Sequence, residues 1–292
     1  MRTITLEELL EAGCHFGHQV TRHNPKARDF IFEARDNIHI IDLAKTKEGL
    51  EKAAEFIKTT AQKPDATIVV VATKRQAQGI VQEEIKRVKE SLGDGSSIFS
   101  VTNRWIGGTL TNFGEVAKNY KKLKELGEKL DDPQERAKYT KKEVGGWARE
   151  QQKLHVFYGG IAQMHKKPDV LFIVDAHLEA LAIHEAHSTG VATVAIVDTN
   201  ADPRSVDYPI PANDDAVGSI KLITGFIMDA WLEGKEQGKK AQEKAKADET
   251  KKIEKAAIAA EQKEKKAAQK EKPAKKEAEK KTTKKTEVAQ AA

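Results

Sequence analysis

Asp175 and Asp198 each stand where an apolar run stops, in "PDVLFIVDA" and "VATVAIVDTN". If those runs are parallel strands, both carboxylates sit at C-terminal strand ends, where open α/β sheets take their ligands. A pair of carboxylates there could hold magnesium for phosphoryl transfer. The same residue also caps turns and helix starts, and "DAHLEA" and "DTNADP" look like such caps. We therefore expect turn carboxylates and no catalytic residue, with a magnesium-dependent phosphoryl-transfer enzyme using Asp175 and Asp198 as the alternative.

The histidines fall in two close pairs, His15 with His18 and His184 with His187, and His177 lies seven residues before His184. "HEAH" has i,i+3 spacing, whereas the zinc-protease signature needs i,i+4, and closed zinc sites usually need four ligands. The expectation is a polar helix edge or RNA-facing imidazoles, with no metal and no cofactor.

Three segments carry the chemistry of polyanion binding. "VATKRQAQG" reads as strand, turn and helix but lacks GxxxxGK[ST] and GxGxxG. It places Lys74 and Arg75 at a helix start, where cations oppose the helix dipole and are better tolerated beneath an anion. "GHQVTRHNPKARDFIF" gathers His18, Arg22, Asn24 and Lys26 without a clean period. Arginine and lysine neutralise phosphates there, while Asn and His can bond sugars and base edges. "NRWIGGTLTNF" supplies Asn103, Arg104, Trp105, Thr109 and Asn112 around the Gly107–Gly108 pair. Arg104 can reach phosphate, Trp105 can stack on a base or fill the core, and the glycines allow close backbone approach. Helix entry at Asn112 adds free N–H groups.

The elements that must position these residues alternate along the chain. "FIFEA" and "NIHIID" read as a hairpin. "TKEGLEKAAEFIKTTAQ" puts Leu50, Ala53, Ala54, Ile57 and Ala61 on one helical face. "ATIVVVAT" is a strand buried on both sides. The helix after it buries Ala77, Ile80, Val81, Val88 and Leu92 and stops at Gly93. "SSIFSV" and the two Asp-ended runs are further strands, and a closing helix runs from about Ala216 to Leu232. Strand–helix–strand units with apolar strands imply a Rossmann-like α/β fold, a parallel sheet covered by helices. Between its halves, Phe113, Val116, Tyr120 and Leu123 recur at heptad-like spacing, and Ala137, Thr140, Val144, Trp147 and Leu154 do so again after "DDPQ". That is an inserted antiparallel helical hairpin. Gly145 and Gly146 fall inside its second helix and weaken it locally. The expected organisation is 1–111 with 159–234 as the α/β RNA-binding domain, 112–158 as the hairpin, and 235–292 as a disordered charged C-terminal tail.

The net charge of +5 over 292 residues hides a partition. From 235 on, 19 Lys face 11 acidic residues, while the remaining 234 residues carry 31 basic and 34 acidic ones. The body must meet a polyanion through local patches rather than through overall charge. Cys14 is the single cysteine, so no intrachain disulfide exists, and "MRTITLEELLEAG" has no apolar signal core. No apolar run approaches the roughly 20 residues a membrane helix needs. The expectation is a cytoplasmic protein with no membrane partner and no small-molecule substrate.

The chain resembles the bacterial small-subunit ribosomal protein two family. The resemblance rests on "LLEAGCHFGHQVTRHNPK", "IHIIDLAKT", "ATKRQAQ", "NRWIGGTLTNF", "YTKKE", "GGIAQM", "PDVLFIVDA" and "VAIVDTNADPRSVDYPIPANDDA", in family order over residues 6 to 226. It implies a Rossmann-like domain with a protruding helical hairpin. It also implies a structural, non-catalytic role on the ribosome, bound to small-subunit ribosomal RNA and to neighbouring small-subunit ribosomal proteins. "KLHVFYGGIAQMHKK" departs from the acidic and polar residues that the family usually places before its "GGI".

Overall fold

The structure is a computed structural model and describes residues 2–93 and 97–243. The chain divides into two compact units, Met1–Gly238 and Lys239–Ala292. Of the second only 239–243 are described, as helix. The tail expected from 235 therefore lies, from 244 on, outside the described residues.

The first unit opens with helix α1 (Leu6–Glu11), started by a capping box between Thr5 and Glu8. Strands β1 (Phe16–Gln19), β2 (Ile31–Arg35) and β3 (Ile38–Ile41) form a small antiparallel sheet in the order β1-β3-β2. The expected hairpin is β2–β3. Its two-residue turn, Asp36-Asn37, holds φ values of 50° and 64°, as a twist-compatible tight turn requires. Helix α2 (Leu43–Ala61) starts on the Asp42 side chain, which accepts from the Ala44 N–H.

The main sheet is parallel throughout, in the order β5-β4-β6-β7-β8, with β4 at Ile68–Val71, β5 at Ile98–Val101, β6 at Val170–Ile173, β7 at Ala192–Val197 and β8 at Tyr208–Pro211. Helix α3 (Arg75–Leu92) links β4 to β5, and α7 (Ala180–Thr189) links β6 to β7. Helix α8 begins at 217 and runs to 238, the end of this unit. The continuous apolar strands follow from burial on both faces. Ile68 and Val70 join the core formed with α1, α2, α3 and α8; Val69 and Val71 join a second core with Trp105, Tyr120, Ile161 and Ile183.

All five α2 residues expected inside are buried, as are Ala77, Val81 and Val88 of α3. Ile85 completes that α3 stripe, and Gly93 ends the helix with φ 66°. The sheet steps one way from β4 to β5 and the other way from β4 to β6, so the chain's direction reverses between β4 and β6. That reversal creates the crevice typical of ligand sites in open α/β sheets.

Helices α4 (Phe113–Asp131), α5 (Pro133–Ala137) and α6 (Lys141–Tyr158) form the insertion. Val116, Tyr120, Leu123 and Leu126 are buried along α4. The second helix starts later than its apparent period. Ala137 and Thr140 are exposed, and Thr140 is the α6 N-cap, in a capping box with Glu143. Local cap chemistry there overrides the apolar spacing. Val144, Trp147, Gln151 and Leu154 are half-buried, and Gln151 lies over Gly127 of α4. The polar interruption is therefore matched by a missing side chain opposite it. Of the "VFY" root, Val156 is exposed and Tyr158 is buried: the Tyr158 and Tyr120 rings meet edge to face at 5.7 Å, and Asn119 donates to the Tyr158 hydroxyl.

The packed helix passes the compositional boundary at Lys235. That residue is buried, and its ammonium donates to the carbonyls of Lys63, Pro64 and Ala66 at 3.3, 3.2 and 2.7 Å. Gly234 and Gly238 let α8 approach the end of α2; a Cβ on either would meet the Lys58 or Gln62 carbonyl at 2.4 Å. A chain ending at Gly234 should therefore melt several degrees below one ending at Gly238, by about 4 °C per kcal/mol or less for a domain this large. Equal melting points would return the boundary to 235. A Cβ at Gly145 or Gly146 would meet nothing within 4 Å. Replacing both by Ala should stabilise α6 by roughly 1–2 kcal/mol in total, read as slower amide exchange across the hairpin. Unchanged or faster exchange would mean that α6 is not limited by its glycines.

Candidate functional site

The parallel register aligns the C-terminal ends of the strands, so the loops after β4, β5, β6, β7 and β8 form one rim. Every sequence-expected site residue after position 70 lies on this rim. The earlier segment reaches it through Gly17, where a Cβ would meet the Thr199 Cγ2 at 2.8 Å. The His18 N–H donates to the Thr199 hydroxyl at 3.0 Å, and the Asn24 N–H donates to the Thr199 carbonyl at 2.7 Å. The irregular basic segment is thus fastened to the loop after β7.

The glycine loop after β5 does hold an anion, and the anion belongs to the protein. Glu185 of α7 is buried beneath it. Its Oε1 accepts from the Trp105 indole at 3.1 Å and the Gly108 N–H at 2.8 Å. Its Oε2 accepts from the Leu110 and Thr111 N–H groups at 3.0 and 3.2 Å and from the Thr111 hydroxyl at 3.2 Å. Burial pushes this carboxyl's pKa up, but the donors from Leu110, Gly108, Trp105 and Thr111 outweigh it and hold the group below its ordinary value. Sequence reading passed over Glu185 because its donors lie 74 to 80 residues away in the chain. The available signal was the loop itself, rich in donors and short of any partner within its own segment.

Four of the residues expected to face RNA make contacts within the protein. Trp105 is buried and spends its N–H on Glu185. Thr109 is buried, and its hydroxyl donates to the Ile106 carbonyl at 2.6 Å. His18 turns inward, 3.1 Å from Asp198 through Nδ1. Lys74 is held at 3.0 Å from Asp175, 2.8 Å from Asp214 and 2.9 Å from Asp215. Burial opposes its charge, but Asp214, Asp215 and Asp175 prevail and raise its pKa. Exposed on the rim are Arg22, Lys26, Arg75, Asn103, Arg104 and Asn112, with Asn24 half-buried. Lys26 pairs with Asp202 at 2.6 Å, and Asn103 donates to the Val156 carbonyl at 2.8 Å.

Asp175 is a turn cap, as expected: its Oδ1 accepts from the His177 and Leu178 N–H groups at 2.9 and 2.8 Å. Asp198 accepts from Thr199 and faces His18. Lys74 follows β4 and Asp175 follows β6, so their ion pair fills the crevice between those strands. Asp214, after β8, joins the same cluster. Burial, with Asp175 and Asp198 nearby, pushes its carboxyl up to about 7 against the pull of Lys74. The other histidine group is not assembled: His184 and His187 are exposed, and the His187 Nε2 lies 2.8 Å from the Ser205 carbonyl.

The domain is thus a parallel α/β sheet with its own ion pairs in the crevice and a helical hairpin inserted after β5. Residues 9–234 match the family model described as ribosomal protein S2, and the chain belongs to that family. It is 46% identical over 234 residues, 80% of either chain, to proteins named small ribosomal subunit protein uS2 from Bifidobacterium longum strains DJO10A and NCC 2705.

Glu185→Gln tests the anion-filled loop. The amide would set a donor against donors, so the variant should lose at least about 2 kcal/mol, as buried groups deprived of a charged partner do. The sign with pH follows from a carboxyl pKa lowered by folding. The stabilisation is complete above the unfolded value near ~4.3 and is lost as pH falls through the folded value. The wild-type advantage in Tm should be constant from neutral pH to about 5 and shrink on further acidification. A difference independent of pH would show that the carboxylate charge is not what holds the loop.

Proposed function

We infer that this chain is a structural component of the small ribosomal subunit, with ribosomal RNA and other ribosomal proteins as its partners. The observation that carries this is family membership across residues 9–234, together with relatives of that name at 46% identity. The chain is not an enzyme. The phosphoryl-transfer alternative finds no support: Asp175 is committed to a turn and to Lys74, and the family is a structural one. Among the described residues no helix is long and apolar enough to cross a membrane.

Within that role we assign the RNA-facing surface to the C-terminal rim of the sheet. Arg22, Lys26, Arg75 and Arg104 present charge to phosphates, and Asn24, Asn103 and Asn112 add hydrogen-bonding amides. His18, Lys74, Trp105 and Thr109 act from behind, holding the loops that carry these side chains. Four exposed cations on one rim account for polyanion binding by a body with more acidic than basic residues.

Arg104→Ala and Arg75→Ala should each weaken binding of the full chain to small-subunit RNA. Each should lower the slope of log affinity against log salt by about one. The fold should be unaffected, since both side chains are exposed. Affinity and salt slope equal to wild type for both would move the RNA surface off this rim.

A further inference from the structure

We propose that Leu178 and Leu181 form an apolar ledge that takes the face of an unpaired RNA base, adding a base contact to the phosphate contacts of the rim. This role rests on the RNA-facing rim assigned above and names the part of the RNA that this stretch of it reads. Both side chains stand out of the fold, Leu178 56% exposed and Leu181 53%. They are three residues apart where the chain enters α7. That helix buries its other face through Ala182, Ile183, Glu185 and Ala186, so its packing uses neither leucine. One exposed leucine is ordinary on a protein surface. Two at this spacing, on a rim of cations, make a patch.

The ledge is fastened to both loops that carry the exposed arginines of this half of the rim. A Cβ on Gly107 would meet the Leu181 Cδ2 at 3.6 Å, so Leu181 lies against the glycine loop, three residues after Arg104. Gly107 is itself exposed, so the loop puts no side chain over the leucine there. On the other side, the Leu178 N–H donates to the Asp175 Oδ1 at 2.8 Å. The same carboxylate pairs with Lys74 at 3.0 Å, one residue before Arg75. The Thr73 hydroxyl donates to Glu179, which sits between the two leucines in sequence. Backbone and side-chain bonds thus set the leucines relative to both Arg75 and Arg104.

Charge decides the occupant. Arg75 and Arg104 are exposed, and among the described residues neither has an ion-pair partner. Asn103 and Asn112 are exposed on the same loop as Arg104. Apolar surface edged by unpaired cations and amides fits a ligand with a flat, weakly polar face and anionic links. An unpaired nucleotide is such a ligand: its phosphates bond the arginines while the base lays its face on the leucines. A base within a duplex hides that face in its stack, so the ledge selects single-stranded loops, bulges or ends. Trp105, the aromatic residue of this loop, is buried and spends its N–H on Glu185, so it cannot be the platform. The leucines are the apolar surface left to serve as one.

The test uses the full chain with small-subunit RNA and with a fully paired RNA duplex. The double variant Leu178→Ala, Leu181→Ala should bind small-subunit RNA about tenfold more weakly. Its slope of log affinity against log salt should equal that of wild type, because no phosphate contact is lost. The duplex should bind wild type and variant alike. Leu178→Met with Leu181→Met should keep wild-type affinity, since apolar side chains of similar size remain. Circular dichroism and Tm should be unchanged, as both positions are exposed. Equal affinity of the alanine variant and wild type for small-subunit RNA would overturn the ledge; failure of that variant to join the small subunit would then give the patch to a neighbouring protein. A lowered salt slope would overturn it too, by showing that the leucines only place the arginines. The rim reading fails by a different result, Arg75→Ala and Arg104→Ala binding as wild type. Loss confined to the leucine variant would support the ledge while overturning the arginine assignment.

Discussion

The Glu185 carboxylate is the interaction on which the rim depends. It organises residues 105 to 111 by collecting donors that the loop cannot satisfy within itself. Backbone N–H groups left unpaired at this depth would cost as much as lost hydrogen bonds. The loop's end then becomes the start of α4, so the carboxylate also fixes where the hairpin leaves the sheet. Arg104, one residue before the cradle, is exposed because Trp105 is anchored.

The crevice between β4 and β6 follows the same logic with the signs reversed. There a cation, Lys74, collects Asp175, Asp214 and Asp215. Buried pairs of this kind are weak evidence for net stability, because desolvation offsets much of their attraction. Their effect is on specificity of arrangement. Removing Lys74 would leave carboxylates from the ends of β6 and β8 uncompensated, so the loops of the rim are set relative to one another through one ammonium group.

Much of this was legible from sequence. Four of the five parallel strands, the helix faces and the β2–β3 hairpin followed from apolar runs and period, since burial on one or both faces writes itself into residue order; β8 was missed, because its two prolines interrupt the apolar run. Long-range polar pairing writes nothing comparable. Glu185 was not singled out, and Lys74 looked like an anion ligand, because their partners are 74 or more residues away. The position of α6 was misread for a different reason: Ala137 and Thr140 fit the apolar period, but Thr140 followed three residues later by Glu143 is a helix start.

The charge of the body can now be reconciled with an anionic partner. Its acidic surplus is small, and part of it is turned inward: Asp175, Asp198, Asp214, Glu179 and Glu185 are all buried. Of the cations placed on the rim by sequence, only Lys74 is drawn inward with them, while Arg22, Arg75 and Arg104 stay outside. Exposed charges act on a partner within about a Debye length, roughly 10 Å at 0.1 M salt. Carboxylates bonded to N–H groups or to Lys74 are already compensated within a few ångströms. A polyanion approaching the rim therefore meets the arginines first, and the net charge of the chain says little about what it feels.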